Sequence, residues 1–199
     1  MNDQGPETAA KATTNALNHY LPKVLVSIGI SGRLSDEVGL ADVVIADSTD
    51  NPFYRAKVKN GKVNFGGETI SLKRLTELAW KTLENRKPLL SFGSELNSIN
   101  KTKLLDVGLT KVQPTFMRGP ICTTPAVIDD EDFQGFIKEN RNRLYLACDM
   151  ESHAVVNAAA DFNLGDENIL VIRGGNEGQI QILFVAALAS PEPHTADTS

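Results

Sequence analysis

The amino-acid sequence predicts an α/β fold with a mostly parallel sheet. Short, almost entirely apolar segments alternate with helical ones, and the apolar segments lack the polar–apolar alternation of strands that face water on one side. The 199 residues, 41% of them apolar and 23% charged, are enough for one domain with a core of its own. We therefore expect one domain over residues 1–190 and a disordered polar tail over residues 191–199.

Five segments have the periodicity of helices, with apolar side chains recurring every three or four residues. The first is rich in alanine and ends at Leu21-Pro22, and the third begins with acidic residues, which interact favourably with the helix dipole. The predicted helices cover residues 7–20, 70–86, 129–140, 152–162 and 180–189.

The strands are predicted from apolar runs of strand length. They cover residues 24–28, 42–46, 112–117, 121–123, 144–149 and 168–173. A hairpin is predicted over residues 58–63, because both residues at its tip, Asn60 and Gly61, accept a positive φ. Residues 91–108 have no single period and are expected to combine loop with short helix.

Composition argues against several classes of protein. The chain has 20 basic and 25 acidic residues, a formal net charge of −5, which disfavours nucleic acid as its main partner. No apolar run approaches the roughly 20 residues of a membrane-spanning helix, and residues 1–9 have no signal-peptide core, so we expect a cytoplasmic protein without a membrane partner. The three histidines are far apart in sequence, so no metal site is expected. Cys122 and Cys148 are expected to be reduced core residues.

Gly29, Ile30, Ser31 and Gly32 follow the first predicted strand and are expected to form a turn. In open α/β sheets, ligands bind at the carboxyl ends of the strands, and a glycine-rich turn there lets backbone N–H groups approach an anion or a ribose. The segment lacks the GxGxxG spacing of dinucleotide-binding turns. The residues alone leave a ligand-binding turn and a plain tight turn equally open.

Residues 148–153 place several polar side chains where a strand becomes a helix. Glu151 is expected near the N-terminus of that helix, which stabilises negative charge. A carboxylate held there can accept hydrogen bonds from two neighbouring hydroxyls, such as those of a ribose. The alternative is simple helix capping by Asp149 or Ser152, and the residues alone leave both interpretations open.

Glu177 follows the predicted strand that ends at Arg173, and it is a candidate general acid or base in the same crevice. The alternative for Glu177 is a polar surface loop. Cys122 is a weaker candidate, as a nucleophile, because nothing near it in the sequence supplies the base that a catalytic thiol needs.

Five motifs, taken in order, resemble those of the nucleoside phosphorylase and nucleosidase superfamily. The family's GIAGGL or GSAGGL turn is matched by VSIGISGRL at 26–34, and its LGDVVVAD by LADVVIAD at 40–47. Its GPIASGDSVVAD segment is matched by GPICTTPAVIDD at 119–130, its VEMEG or VDMES motif by CDMES at 148–152, and its FLVIRGISD strand by ILVIRGGNE at 169–177. The resemblance runs from about residue 5 to residue 177.

This resemblance implies a three-layer αβα fold around a twisted, mixed and mostly parallel sheet. It also implies cleavage of the N-glycosidic bond of a nucleoside, with a purine favoured, by water or by phosphate. No cofactor is implied, with phosphate as a co-substrate if it is the attacking group. The implied partners are a nucleoside or nucleobase ligand and other copies of the chain in a homo-oligomer.

The resemblance also assigns roles to individual residues. It implies that Met150 packs on the ribose, that Glu151 holds the ribose hydroxyls and that Glu177 protonates the base, so Glu151 and Glu177 are the catalytic candidates. Residues 121–128 would line the base pocket. The implied substrate-binding residues are Met150, Glu151, Ile121, Val127, Ile128, Gly29, Ile30, Ser31 and Gly32.

The sequence departs from the family pattern in several places. Glu177, or Asn176 if the loop shifts by one residue, stands where the family has the aspartate that protonates the purine. Ile30 stands where many phosphorylases have a phosphate-contacting serine, and Thr123-Thr124-Pro125 replaces the SGD of the base pocket. The chain also starts just before its first helix, so we expect a fold shortened at the N-terminus. A second hypothesis is therefore a non-catalytic nucleoside-binding or regulatory domain, or a truncated inactive member of the family.

Overall fold

A computed structural model of the chain describes residues 5–39, 42–86, 115–126, 128, 130–176 and 184–188. Its four helices within these residues are α1 (Pro6–Tyr20), α2 (Arg74–Arg86), α3 (Glu131–Asn140) and α4 (Ser152–Asp161). A short 3-10 helix, Asp166–Asn168, precedes the eighth strand. The strands are β1 (Val24–Arg33), β2 (Val43–Asn51), β3 (Lys57–Lys59), β4 (Lys62–Asn64), β5 (Glu68–Ser71), β6 (Phe116–Thr123), β7 (Ala147–Asp149), β8 (Ile169–Asn176) and β9 (Phe184–Leu188).

Seven of the described strands form one mixed sheet, which confirms the predicted α/β class. The parallel pairs are β1 with β8, β2 with β6 and β6 with β7. The antiparallel pairs are β1 with β7 and β9, and β2 with β5 and β8. Because β8 pairs with both β1 and β2, the strands β2, β6, β7, β1 and β8 form a closed cycle of hydrogen-bonded neighbours.

The main core lies between this sheet and the helices. Helices α1 and α4 pack against each other, and α4 also contacts β1, β2 and β6, whereas α2 contacts β2 and β8. Every fourth residue of α1 faces inward, and Ala9, Thr13 and Leu17 are buried there. The residues of the sheet and α4 that build the core are Leu25, Val44, Ala46, Ile121, Ala147, Val155, Val156, Ala159, Ile169 and Val171. No helix in the described ranges is long and apolar enough to cross a membrane.

Most of the predicted elements near the N-terminus and the predicted hairpin are confirmed. Helix α1 matches the predicted segment within one residue, and α3 and α4 also lie where helices are predicted. Asn60 and Gly61 connect β3 to β4 with φ values of 53° and 73°, the conformation that an Asn-Gly hairpin tip favours. Asp130 starts α3 by accepting a hydrogen bond of 2.7 Å from the Phe133 N–H group.

The turn predicted at Gly29–Gly32 is wrong, because β1 continues through it to Arg33. Ile30 and Gly32 pair with Gly174 and Asn176 of β8, so Gly174 lies inside a strand rather than after one. Pairing with neighbouring strands satisfies the backbone N–H and C=O groups of this segment, which outweighs the weak strand preference of glycine.

Two predicted helices are also corrected. Residues 70 and 71 belong to β5, which pairs with the end of β2, and α2 begins only at Arg74. Within the predicted helix over 180–189, the described part is the strand β9, which pairs with Val24–Ile28 of β1. A continuous apolar run fits a buried strand as well as a buried helix, and pairing with β1 decides between them. Some predictions concern segments that lie outside the described residues, namely 91–108, 112–114 and 191–199. The domain boundary at residue 190 stays a prediction.

Asp42 connects three parts of the chain just before β2. Its carboxylate is fully buried and accepts hydrogen bonds of 2.7 Å from the backbone N–H groups of Gly39 and Thr115. Its own carbonyl accepts a hydrogen bond of 2.7 Å from the N–H group of Gly175 in β8. Asp42 therefore holds the starts of β2 and β6 and the end of β8 together.

We expect Asp42→Ala to lower the free energy of unfolding by about 2–4 kcal/mol, since each buried donor left without a partner costs about 1–3 kcal/mol. Urea unfolding monitored by circular dichroism measures this change. Asp36→Ala, at a nearby exposed position, is the matched control and is expected to change the free energy by no more than about 0.5 kcal/mol. Equal effects of the two substitutions would contradict the role of Asp42.

Candidate functional site

The site lies where the ends of four strands meet. Thr123, the last residue of β6, pairs with Asp149, the last residue of β7. Gly32 of β1 lies between Cys148 of β7 and Asn176 of β8, pairing with both. These registers bring together the glycine segment of β1, the polar segment after β7 and the end of β8, which are three segments that the sequence singles out.

Asp149 is the most heavily hydrogen-bonded carboxylate of the described residues, and it is 5% exposed. It accepts a hydrogen bond of 2.7 Å from Nε of Arg173 and one of 2.8 Å from the hydroxyl of Thr123. It also accepts from the backbone N–H of Ser152, at 3.0 Å and 3.2 Å to its two oxygens, and from the Ser152 hydroxyl. Asp149 therefore caps the first turn of α4 and joins it to β6 and β8.

Arg173 is the cation that balances Asp149, and it is fully buried inside β8. Its remaining donors bond the carbonyl of Ser27 at 3.2 Å, the hydroxyl of Ser27 at 3.1 Å and the carbonyl of Ile172 at 2.9 Å. A buried guanidinium is tolerated when a carboxylate neutralises it and its N–H groups are satisfied. Sequence reasoning missed this residue as part of the site, although an arginine inside an otherwise apolar strand is a signal of a buried partner.

Glu151 lies directly before α4 and is 8% exposed, yet it is not used to cap the helix. Burial, followed by the nearby charge of Asp149, raises its pKa above the ordinary value of 4.5. Arg173 and the backbone N–H groups of Met150 and Gly5 act in the opposite direction. Because Asp149 does the capping, the Glu151 carboxylate keeps acceptor capacity for a ligand.

The start of α1 is a part of this site that sequence reasoning did not include. Gly5 precedes α1, and its backbone N–H group is among the groups that lower the pKa of Glu151. Its φ of 113° is a conformation that only glycine adopts easily, and a Cβ there would lie 3.7 Å from Cε of Met150. Met150 is half-buried, so the beginning of α1 covers both residues of the predicted ribose site.

The other predicted substrate-binding residues are distributed between the core and the site edge. Ile121 is fully buried in the main core. Ile128 is partly buried and packs, with Phe53 and Phe65, against a second apolar cluster. That cluster consists of Leu34, Cys122, Ile137, Tyr145 and Cys148. Val127 and Glu177 lie outside the described residues.

Ile30 and Ser31 lie next to each other at the end of β1 but differ in environment. Ile30 is half-buried, whereas Ser31 is 5% exposed and its hydroxyl has no hydrogen-bond partner among the described residues. Ser27 lies four residues earlier on the same face of β1, and it bonds Arg173. The Ser31 face of β1 is therefore the Arg173 face, and Ile30 lies on the opposite one.

The comparisons with known proteins agree with this arrangement. A sequence model described as the phosphorylase superfamily matches residues 2–174. This chain belongs to that superfamily. The resemblance to nucleoside phosphorylases and nucleosidases predicted from the motifs is thereby confirmed.

Three relatives illustrate how this superfamily member compares with others. It is 26% identical over 166 residues to a death domain-containing ATP nucleosidase of Amphimedon queenslandica, covering 79% of this chain and 29% of that protein. The second is the solved structure of 5'-methylthioadenosine/S-adenosylhomocysteine nucleosidase from Helicobacter pylori with butyl-thio-DADMe-Immucillin-A. Its TM-score is 0.62 at 14% sequence identity, and the match covers 85% of this chain and 62% of that one. The third is that of S-adenosylhomocysteine nucleosidase from Streptococcus pyogenes in complex with 5-methylthiotubericidin. Its TM-score is 0.61 at 16% sequence identity, and the match covers 86% of this chain and 61% of that one.

The superfamily chain has a second buried polar network beside the site, around Asp50 at the end of β2. Arg141 donates two hydrogen bonds to the Asp50 carboxylate, at 2.8 Å and 2.9 Å, and Tyr145 donates from its hydroxyl. Thr69 of β5 donates at 3.1 Å. Burial and the carboxylate of Asp50 raise the pKa of Tyr145, so its hydroxyl stays protonated. This network joins β2 to β5 and to the segment after α3.

Cys122 and Cys148 are neighbours in register across β6 and β7, and both are free thiols. The Cys148 side chain, followed by burial, raises the pKa of the Cys122 thiol. A thiol whose pKa is raised holds little thiolate, the nucleophilic form, so the structure supports a core role for Cys122. In the described part of the chain, no group of three or more His, Cys, Asp or Glu side chains is arranged to hold a metal ion.

We expect Arg173→Met to lower the free energy of unfolding by about 3–5 kcal/mol, because it leaves the Asp149 charge buried without a partner. Chemical denaturation followed by fluorescence of the single tryptophan measures this loss. Arg118→Met is the matched control, since Arg118 lies 3.9 Å from Glu77 in an exposed pair that is worth at most about 1 kcal/mol. A loss at Arg173 no greater than that at Arg118 would show that the ion pair does not organise the site.

We expect Glu151→Gln to become progressively more stable than wild type as the pH rises from about 4 to about 7.5. A carboxyl whose pKa is raised on folding stabilises the folded state below its unfolded pKa and loses that contribution as the pH passes its folded pKa. Glutamine does not titrate, so the difference between the two proteins isolates Glu151. Urea unfolding at several pH values measures the difference, and Glu139→Gln, at an exposed site in α3, is the control. A difference that stays flat with pH, or that changes in the opposite direction, would contradict the assigned pKa shift.

Proposed function

We propose that this chain cleaves the N-glycosidic bond of a purine nucleoside or nucleotide, with water as the attacking group. The observation that carries the proposal is Glu151, a buried carboxylate at the meeting point of the strand ends that is not used for helix capping. Purine is supported by the names of the similar proteins, which refer to adenosine derivatives or to ATP.

In the proposed reaction, Glu151 acts on the sugar. Cleavage of an N-glycosidic bond leaves positive charge on the ribose, and a fixed carboxylate in a site of low water content stabilises that charge electrostatically. A carboxylate has about four acceptor positions, so Glu151 can accept from two ribose hydroxyls in addition to its backbone donors. Met150, half-buried beside Gly5, packs on the ribose in this proposal.

The environment of Ile30 supports water over phosphate as the attacking group. Ile30 stands where the resemblance places a phosphate-contacting serine of the phosphorylases, and an isoleucine side chain donates no hydrogen bond to an anion. Ile30 also lies on the face of β1 away from the Arg173 cation. A phosphate bound beside Ile30 would have neither a side-chain hydrogen-bond donor at position 30 nor the Arg173 cation as a partner.

The leaving base needs a proton, and we propose Glu177 as its source, with Asn176 as the alternative position. Asn176 ends β8 and pairs with Gly32 at the site edge. Protonating the base makes it a better leaving group. The base would pack against the segment 121–128, which the motifs assign to it and which ends at Ile128.

The assembly and location of the protein are further proposals. The chain spans 29% of the sponge protein and 61–62% of the two nucleosidases, so the activity of the whole protein is proposed here rather than taken over from them. A homo-oligomer is supported by Phe133, a large apolar side chain that is 38% exposed and stacks with Phe53 and Phe136. A cytoplasmic location is supported by the two free thiols.

The test measures, by chromatography, the release of free base from a panel of nucleosides and nucleotides. Each reaction is run with and without inorganic phosphate. We expect wild-type protein to release adenine without phosphate and Glu151→Gln to be slower by about 10²–10³-fold. Glu139→Gln is the control and is expected to match wild type, because its side chain is exposed on α3. We also expect the rate to fall as the solution is acidified, with an inflection above 4.5, because the pKa of Glu151 is raised.

The same experiment separates the alternatives. Release that requires phosphate would contradict water as the attacking group. Equal rates for wild type and Glu151→Gln would remove Glu151 from the mechanism. If no base is released and a nucleoside raises the melting temperature without being consumed, the second hypothesis, a non-catalytic nucleoside-binding domain, is favoured over catalysis.

A further inference from the structure

A groove beside the β3–β4 hairpin has the chemistry of an anion-binding site. It is open to solvent, has a volume of about 770 Å³, and is lined by Arg55, Lys57, Lys59, Asn64 and Phe65 among others. Pockets for small ligands have volumes of about 300–1,000 Å³. Two ammonium groups, a guanidinium and an amide give this groove a set of hydrogen-bond donors suited to phosphate oxygens.

Within the part of the chain that the structure describes, no ion pair neutralises the basic side chains around this groove. Residues 51–67 contain four basic side chains and no acidic one, although the whole chain has a net charge of −5. Among the ion pairs of the described residues, none involves Arg55, Lys57, Lys59 or Lys62. Arg55 instead lies over the ring of Tyr54, 5.0 Å from its centre.

The arrangement of the lysines costs the hairpin stability. Lys59 and Lys62 are directly opposite each other across β3 and β4, and like charges in that position repel. Asn60 and Gly61 already fix the turn, so the lysines are not needed for it. An anion bound between these side chains would offset the repulsion.

The groove lies next to the proposed catalytic site. Phe65 lines the groove and also packs, together with Phe53 and Ile128, on the apolar cluster that contains Cys148. Cys148 is two residues before Met150 in the chain, and it pairs with Gly32. The hairpin begins after Asn51, the last residue of β2, and Asp50 of β2 pairs with Cys122 beside the site. The groove and the segment that carries Met150 and Glu151 therefore border the same apolar cluster.

We propose that this groove binds the 5'-phosphate groups of a nucleotide substrate, so that the enzyme prefers a nucleoside polyphosphate to the free nucleoside. The proposal rests on the proposed cleavage of an N-glycosidic bond and names the class of substrate for that site. The positive groove attracts a polyanion that the net negative charge of the rest of the chain would repel. A small polyphosphate fits better than a nucleic acid, because the basic side chains form one short cluster rather than a continuous face.

The test uses inorganic tripolyphosphate as the probe, so that binding is measured without any reaction. We expect isothermal titration of the full chain to give a Kd for tripolyphosphate that rises at least about tenfold in Lys57→Gln/Lys59→Gln. Lys11→Gln/Lys23→Gln removes the same charge from exposed positions on α1 and before β1, and it is the control with little expected change. The hairpin variant is expected to melt no lower than wild type, since it removes the repulsion between Lys59 and Lys62, so loss of binding is not loss of folding.

A kinetic measurement then connects the groove to the substrate. We expect the ratio of kcat/KM for the nucleoside triphosphate to kcat/KM for the nucleoside to fall at least about tenfold in the hairpin variant and to stay unchanged in the control. An unchanged Kd for tripolyphosphate, or an unchanged ratio, would overturn the proposal. Much tighter binding of single-stranded DNA than of tripolyphosphate would also overturn it, in favour of a nucleic-acid surface.

The outcomes also separate this proposal from the proposed function. If wild-type protein releases no base from any substrate but binds tripolyphosphate through Lys57 and Lys59, the cleavage reaction fails while the groove stands as an anion site. If the protein cleaves nucleosides and triphosphates with the same kcat/KM in wild type and variant, the cleavage stands and the phosphate site fails.

Discussion

The ion pair between Asp149 and Arg173 is the interaction on which the geometry of the site depends. Both groups are buried. A buried charge is tolerated only if a partner of opposite charge neutralises it and hydrogen bonds satisfy its other donor or acceptor atoms. Here those hydrogen bonds come from Ser27 of β1, Thr123 of β6 and the first residue of α4. The pair therefore fixes β8, β1, β6 and α4 relative to one another, and everything at the site edge is positioned through it.

Two carboxylates only two residues apart have different roles because their surroundings differ. Asp149 has a guanidinium against it and takes over the capping of α4. Glu151 is buried and lies near the negative charge of Asp149, and both effects raise its pKa. The first carboxylate is committed to structure, and this leaves the second able to accept a ligand's hydroxyl groups. The sequence Asp-Met-Glu-Ser accommodates both, since the strand ends at the first acid and the helix begins after the second.

Local signals predict much of the fold and the position of Glu151 between a strand and a helix. Apolar periodicity and the Asn-Gly tip predict α1, α3, α4 and the hairpin, because these elements depend on side chains close in sequence. The course of β1 beyond Gly29 and the strand β9 cannot be predicted this way, since both are decided by pairing with strands far along the chain. Glu151 lies between strand and helix as predicted, and its role in the site stays a prediction. Arg173 and Gly5 are not predicted, because their contacts with Asp149 and Glu151 exist only after β8 and α1 have packed.

The closed cycle of strands has a consequence for how the site responds to disturbance. Each of β2, β6, β7, β1 and β8 is hydrogen-bonded to two others of the cycle, so none of them can shift its register by one residue unless both neighbours also shift. The strand ends that carry Gly32, Thr123 and Asp149 are therefore locked to the Asp42 side of the sheet through β8. Opening of any one of these strands therefore breaks pairing with two others, which favours opening of the five strands as one unit.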